Sequence, residues 1–201
     1  MAITNGINIG CSNVAGAGGI KNILIRSYAT GDEVTFVNSA AAHEISSIVD
    51  TVGSTATWYN FEFKNELPSL TVTAAKENGS TSYECSLSFM MPEMTSSKAA
   101  AIQDMMDTCM MAIAIGNNGK NYVLGVSQKY MNEATAGLIR NQTFASMTGA
   151  EGVSGAAYND DNGWTVTLGC KQWEALRTYA SPGVIALYTN AGVGTGTSTT
   201  T

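Results

Sequence analysis

Hydrophobic and polar residues alternate along much of this chain, which is the pattern of β-strands that bury one face. In 82–89, for example, Tyr83, Cys85, Leu87 and Phe89 alternate with serines and Glu84. Similar alternation, or a short apolar run, predicts further strands at 20–28, 33–38, 44–52, 57–64, 70–74, 110–115, 121–127, 142–148, 164–170 and 184–188. The Asn-Gly pairs at 78–79 and 118–119 indicate hairpin turns.

One segment changes from the period of a strand to that of a helix. Thr95 or Ser96, which follow Pro92, can cap a helix by accepting hydrogen bonds from its first free amides. An apolar stripe at helical spacing follows, formed by Ala99, Ile102, Met106 and Cys109. Asp104 and Asp107 fall off this stripe. The pattern predicts a helix over about 95–109.

Many short strands and one helix indicate a mainly β (α+β) fold, an antiparallel β-sandwich or barrel with one flanking α-helix. The length of 201 residues suits one domain. We expect an N-terminal arm at 1–19, the β domain at 20–191 and a flexible C-terminal tail at 192–201.

Three segments inside the domain have less regular patterns. Residues 128–140 fit a loop with a short helical turn, and 149–156 fit a glycine-rich link. Residues 172–179 fit either a short helix or a strand.

The composition is poor in charge and acidic in balance. Charged residues make up 13% of the chain, against about 25% in typical soluble proteins. Low surface charge accompanies extensive subunit contacts, and it also accompanies secreted adhesins. A net charge of -6, with ten dispersed Lys and Arg residues, disfavours nucleic-acid binding because that affinity depends on neutralising phosphates.

The four cysteines, at 11, 85, 109 and 170, have no metal-ligand spacing. Cys85 and Cys109 lie on apolar stripes, so we expect buried free thiols; a Cys85–Cys109 bridge in an oxidising compartment is the alternative. The first residues lack the pattern of a secretory signal, and no apolar stretch is long enough for a membrane span. A cytoplasmic origin is the simplest interpretation.

Candidate chemistry is sparse, and we expect no catalytic, cofactor-binding or metal-binding residues. A hydrolase would have to use His43, the sole histidine, whose simpler interpretation is a residue at the end of a strand. The motif GNNGK at 116–120 lacks the glycine and the Ser or Thr of a phosphate-binding loop, which favours a hairpin turn. The run NDDNG at 159–163 lacks the spacing of a calcium loop, which favours a polar turn.

Four stretches together carry a resemblance. They are SYECSLSF, MPEMTSSKAAAI with its helix, GNNGK followed by YVLGV, and SGAAYNDDNGWTVTL. Over roughly 20–170 the chain resembles virion tail proteins of bacteriophages, particularly tail-tube-like proteins of phages of Bacteroidota, including crAss-like phages.

The resemblance implies a structural protein without enzymatic activity and without a cofactor. Such subunits form a β-sandwich or barrel, close into rings that are commonly hexameric, and stack into a tube through which the genome passes. The implied partners are further copies of the chain, other virion tail proteins and DNA that passes passively, with no membrane. The implied location is the virion, assembled in the bacterial cytoplasm.

Seven methionines surround the predicted helix, and core packing is their default role. Their number also permits contact with a neighbouring subunit. The possible interface residues are Met94, Met105, Met106, Met110 and Met111.

Three alternatives stay open. A neck, connector or capsid-associated phage protein belongs to the same structural class. A secreted adhesin or pilus-like binding module is a second class, and a small hydrolase that uses His43 is a third.

Overall fold

The computed structural model describes residues 18–28, 32–36, 43–50, 57–62, 68–127, 144–155, 160–180 and 191–193. These residues form one helix and twelve strands. In chain order the elements are β1 (Ile20–Ser27), β2 (Asp32–Phe36), β3 (Glu44–Asp50), β4 (Trp58–Glu62), β5 (Ser69–Glu77), β6 (Ser80–Pro92), α1 (Ser96–Met106), β7 (Met110–Gly116), β8 (Asn121–Leu124), β9 (Ser146–Val153), β10 (Gly163–Gln172), β11 (Arg177–Tyr179) and β12 (Ala191–Val193).

The strands form two sheets. Sheet A has eight strands in the order β12-β4-β1-β7-β8-β11-β3-β2, and sheet B has four in the order β5-β6-β10-β9. Most pairs are antiparallel, but β11 with β3 and β12 with β4 are parallel. The predicted mainly β fold with one helix is therefore confirmed. The structure does not form the alternative closed barrel, because within the described residues β12 and β2 end sheet A without pairing with each other.

The main hydrophobic core lies between the two sheets. Sheet A contributes β1, β7 and β8, sheet B contributes β6, β9 and β10, and Ile102 of α1 joins them. The alternation predicted for 82–89 is what builds the sheet B side: Cys85, Leu87 and Phe89 are buried, while Glu84 and Ser86 are exposed.

Sheet A also buries its second face, and it does so mainly against itself. Ile48 of β3 and Trp58 of β4 belong to one buried cluster, although these strands stand near opposite ends of the sheet order. Only a curled sheet brings them over the same core. Strand β7 lies in the middle of this curl and is buried along all seven of its residues.

The turn between β5 and β6 has the conformation that its sequence predicts. Asn78 and Gly79 have φ angles of 47° and 81°, the positive values that a two-residue type I′ hairpin requires. Glu77 and Ser80 flank this turn as partners, so they form a hydrogen-bonded pair, and every second pair along the hairpin does the same. This alternation fixes which backbone groups of β5 point away from β6.

The two sheets are joined where β7 begins. Met110 and Ala145 exchange backbone hydrogen bonds of 2.8 and 2.9 Å, which connects sheet A to the residue that precedes β9. Gly125 packs against this junction with a φ of +85°. A Cβ at Gly125 would stand 2.8 Å from the Ala145 nitrogen and 2.9 Å from the Met110 oxygen.

Several boundaries differ from the predictions. The strand predicted at 142–148 runs instead from Ser146 to Val153, so most of the predicted glycine-rich link is strand. Pairing with β10 overrides the glycines there. Gly192 and Val193, which were assigned to the tail, pair with Tyr59 and Asn60 of β4. The segment 172–179 ends in a strand. The predictions for 1–17, 128–140, 184–188 and 194–201 lie outside the described residues.

We predict that Gly125→Ala destabilises the fold more than Gly79→Ala. Both glycines have a positive φ, which costs a residue with a Cβ about 1–2 kcal/mol, but a Cβ at Gly79 meets no atom within 4 Å. Urea unfolding of the two variants should show at least about twice the loss for Gly125→Ala. Equal losses would contradict a tight junction between the sheets.

Tyr179 provides a second prediction. Its buried hydroxyl accepts a hydrogen bond from the Ile48 N–H at 3.0 Å, and burial raises the pKa of this phenol despite that hydrogen bond. An unfolded tyrosine ionises near pH 10. The stability that the neutral phenol provides is therefore complete below about pH 10 and is lost as the pH rises further.

We expect Tyr179→Phe to lower the free energy of unfolding by about 1–2 kcal/mol at neutral pH, because the Ile48 N–H loses its acceptor. The variant should also lose less stability than the wild type between about pH 9 and about pH 11. Urea midpoints at the two pH values measure both effects. An identical alkaline loss in both proteins would show that Tyr179 does not contribute to it.

Candidate assembly surface

The outer face of sheet B is covered by small hydroxyl side chains. Two adjacent rows of cross-strand partners show this: Ser69, Ser88 and Thr167 form one, and Thr71, Ser86, Gly169 and Ser146 form the next. The alternate residues of these strands, such as Leu87 and Leu168, are fully buried. The serines and threonines that alternate in the sequence thus come together on one continuous face, here called the hydroxyl face.

Few charges interrupt the hydroxyl face. Glu84 stands directly opposite Lys171 in the row beside Thr73. Glu77 at the hairpin end and Glu151 on β9 are exposed on the same side. The described part of the face therefore carries three carboxylates and one ammonium group, so it is weakly acidic.

Strand β5 forms one edge of sheet B and is exposed along nearly its whole length. Of its nine residues only Leu70 is half-buried, and Val72 leaves 42% of its surface in solvent. Because the residues with odd numbers bond to β6, the backbone groups of Leu70, Val72, Ala74 and Lys76 point away from the sheet. Within the described residues no strand pairs with these groups, and groups of this kind are those to which another strand can add.

Strand β9 forms the opposite edge of sheet B. The same alternation directs the backbone groups of Ala150 and Gly152 away from β10. Helix α1 packs beside β9, and the Met94 methyl lies 2.9 Å from the position of a Cβ at Gly152. Val153, at the end of β9, is about half exposed.

Helix α1 is shorter than predicted, and it buries a different face. Thr95 caps it, with its hydroxyl accepting from the Lys98 N–H at 3.4 Å. The helix ends at Met106, and the Thr108 hydroxyl donates to the Asp104 carbonyl at 2.6 Å. Cys109 therefore lies beyond the helix and is exposed, so the predicted stripe is wrong apart from Ile102.

The structure separates the five candidate interface methionines into two groups. Met110 and Met111 lie on β7 and are buried in the two cores, so a neighbouring subunit cannot reach them in the folded chain. Met105 is half-buried against the main core. Met94 and Met106 are 41% and 52% exposed, and they remain candidates.

We predict opposite outcomes for two methionine substitutions. Met111→Ala should reduce the free energy of unfolding by about 2–5 kcal/mol because it leaves a cavity in a filled core. Met106→Ala should stay within about 0.5 kcal/mol of the wild type. Urea unfolding measures both, and a large loss in Met106→Ala would place that side chain in the core of the subunit.

The remaining candidate residues lie at a strand end and in a turn. His43 precedes β3, and its Nε2 is 2.8 Å from the Ala175 carbonyl oxygen. In the turn at 116–120, the Gly116 N–H donates to the Lys120 carbonyl oxygen at 2.8 Å, and the Asn118 side chain accepts from the Lys120 N–H at 3.0 Å. This confirms the predicted hairpin turn.

The acidic run at 159–163 joins the end of β6. The Asn162 carbonyl accepts from the Glu93 N–H at 2.8 Å, which extends the pairing of β6 with β10 by one step. Asn159 lies outside the described residues. Among the residues that the structure does describe, no group of three or more His, Cys, Asp or Glu side chains is placed to hold a metal ion.

The cysteines differ from the sequence-based expectation. Cys85 is buried as predicted, but Cys109 is exposed, and neither is in a disulfide. The cross-strand partner of Cys85 is Cys170. The sequence contains one signal for this pair, since each cysteine occupies an apolar position of an alternating strand, but only the register of β6 against β10 brings them together.

A buried ion pair was also missed by sequence reasoning. Arg177 donates to both carboxylate oxygens of Glu174, at 3.2 and 3.0 Å, and the Ser127 hydroxyl donates to the same carboxylate at 3.0 Å. These bonds fix the chain that follows β8 to the start of β11.

No family model, curated protein or solved structure matches this chain. No helix in the described part of the chain is long and apolar enough to cross a membrane.

Proposed function

We propose that this chain is a bacteriophage virion structural protein, a tail-tube or tail-ring subunit that assembles with further copies of itself into rings. The observation that carries the proposal is the pair of edges of sheet B. One edge is the exposed strand β5, and the other is β9, whose Ala150 and Gly152 direct their backbone groups away from β10.

The two edges suit each other as a head-to-tail contact. Strand β5 presents four residues whose backbone groups point outward, and β9 presents the outward backbone groups of Ala150 and Gly152 in the same way. A contact between different edges of identical subunits is heterologous, and it closes into a ring when the rotation between subunits fits. It would also cover two edges that proteins otherwise have to protect.

The hydroxyl face supports a channel as the purpose of such a ring. If sheet B continues from subunit to subunit, this face lines one side of the ring. Small hydroxyls with a weakly acidic balance give a wall without clustered cations, so DNA phosphates find no strong binding site on it. In this proposal DNA passes through the lumen passively, other virion tail proteins bind the ends of the tube, and assembly takes place in the bacterial cytoplasm.

Negative-stain imaging of the purified chain tests the proposal. Rings or tubes of uniform diameter are expected at high protein concentration. A strictly monomeric protein by light scattering, at the highest concentration that stays soluble, would contradict self-assembly and favour a binding module.

We predict that Ala74→Pro prevents assembly without unfolding the subunit. Proline removes an N–H that points away from β6, so the internal hydrogen bonds of the hairpin remain, but an added strand loses a donor and meets the proline ring. Ala74→Val is the matched control, since it keeps the N–H and should still assemble.

Light scattering gives the oligomeric state, and circular dichroism gives the fold. We expect wild type and Ala74→Val to form oligomers and Ala74→Pro to be monomeric with an unchanged spectrum. Oligomers of unchanged size in Ala74→Pro would show that β5 is not the assembly edge.

A further inference from the structure

Two of the cysteines face each other at the centre of sheet B. Cys85 of β6 and Cys170 of β10 are direct partners in the antiparallel register, and both are buried, with 2% and 6% of their surfaces exposed. Both lie on the inner side of sheet B and belong to the main core.

The backbone separation at this pair suits a disulfide. Because Glu77 and Ser80 form a hydrogen-bonded pair at the turn, the even-numbered residues of β6 bond to β5 and the odd-numbered ones bond to β10. Cys85 and Cys170 are therefore a hydrogen-bonded pair. The bond from the Glu93 N–H to the Asn162 carbonyl, further along the same two segments, agrees with this pattern. The Cα atoms of such a pair are about 5.5 Å apart, which lies within the common range for disulfides. The Cβ atoms of directly opposite residues are about 4.5–5.5 Å apart, against about 3.5–4.5 Å in a disulfide, so forming the bond also draws the two strands slightly together.

Three donors converge on the Cys170 sulfur. The Cys85 thiol and the Gly125 backbone N–H both donate to it, and the Gln172 Nε2 donates from 3.4 Å. These hydrogen bonds, chiefly that from Cys85, lower the pKa of Cys170 to about 7 in spite of burial. The same contact raises the pKa of Cys85, which keeps its proton. The Gln172 donor lies on Cys170 and not on Cys85, which favours Cys170 as the attacking sulfur, with the Cys85 thiol beside it as the second partner.

We infer that Cys85 and Cys170 are an oxidisable dithiol, which hydrogen peroxide converts into a disulfide between the two central strands of sheet B. The burial of both thiols favours an oxidant of this small size over bulky disulfides. The inference concerns the single subunit and does not depend on its assembly.

The chemistry takes two steps. The Cys170 sulfur attacks one peroxide oxygen, the O–O bond breaks, and the departing hydroxide leaves as water with the proton of Cys170. The Cys85 sulfur then attacks the sulfenic sulfur, the S–O bond breaks, and a second water leaves with the proton of Cys85. Two thiols are oxidised and one peroxide is reduced to two waters.

The disulfide would stabilise the subunit by linking positions far apart in sequence. It closes a loop of about 85 residues, and the entropy lost by the unfolded chain grows with loop length. We expect the melting temperature of the oxidised protein to exceed that of the reduced protein by about 5–15 °C.

The test treats the purified full-length chain with hydrogen peroxide, removes the excess with catalase, and maps peptides by mass spectrometry without reduction. The expected product is a peptide that links Cys85 to Cys170, cleaved by a thiol reductant, together with the raised melting temperature. Cys109→Ala is the matched control and should give the same link and the same shift. Cys85→Ala and Cys170→Ala should give neither.

Two results would overturn the inference. They are oxidation of Cys170 to sulfinic acid without a link, and a link that involves Cys11 or Cys109 in place of this pair. If either core variant does not fold, the peptide map of the wild-type chain decides the question.

Discussion

The complete burial of β7 is the constraint on which the rest of the structure depends. Its residues are apolar or glycine on both sides, so the strand needs a covering layer on each face. Sheet B and α1 provide one layer, and the curl of sheet A provides the other. Once sheet B serves as a cover, only its inner face is committed to the core. Its outer face and its two edges remain as the surfaces on which a function can be built.

Local patterns predicted the elements well where one face of a strand is buried. The alternation at 82–89, the Asn-Gly turn at 78–79 and the Thr95 cap are all found in the structure, because each depends on neighbouring residues only. The helical stripe failed at Cys109. The apolar residues keep helical spacing beyond the point where Asp107 and Thr108 end the helix, so a prediction from periodicity alone makes α1 too long.

Long-range pairing accounts for most of what the sequence could not predict. Strand β9 contains two glycines and has little strand propensity, yet β10 pairs with it through Val153. Strand β12 is only three residues long and depends on a parallel partner far away in sequence. The same reason applies to the candidate sites. The sequence does not distinguish Met110 and Met111 from the exposed methionines near them, because their burial depends on the layers that cover the two faces of β7. The partner of Cys85 likewise follows only from the register of β6 with β10.

The exposed edge of sheet B gives the strongest physical reason to expect a partner. Long edge strands are usually protected by charges, prolines, bulges or a covering segment, because their backbone groups invite another strand. In β5 the charges are confined to Lys76 and Glu77 at the hairpin end, and the pairing of Ser69–Glu77 with β6 shows no bulge. The central part, from Leu70 to Ala75, carries small, threonine or aliphatic side chains that suit a strand on either side. A subunit that leaves such an edge uncovered is exposed to uncontrolled association, unless the edge is matched to a specific partner. In the proposed ring, β9 of a second copy would be that partner, and both edges of sheet B would then be paired.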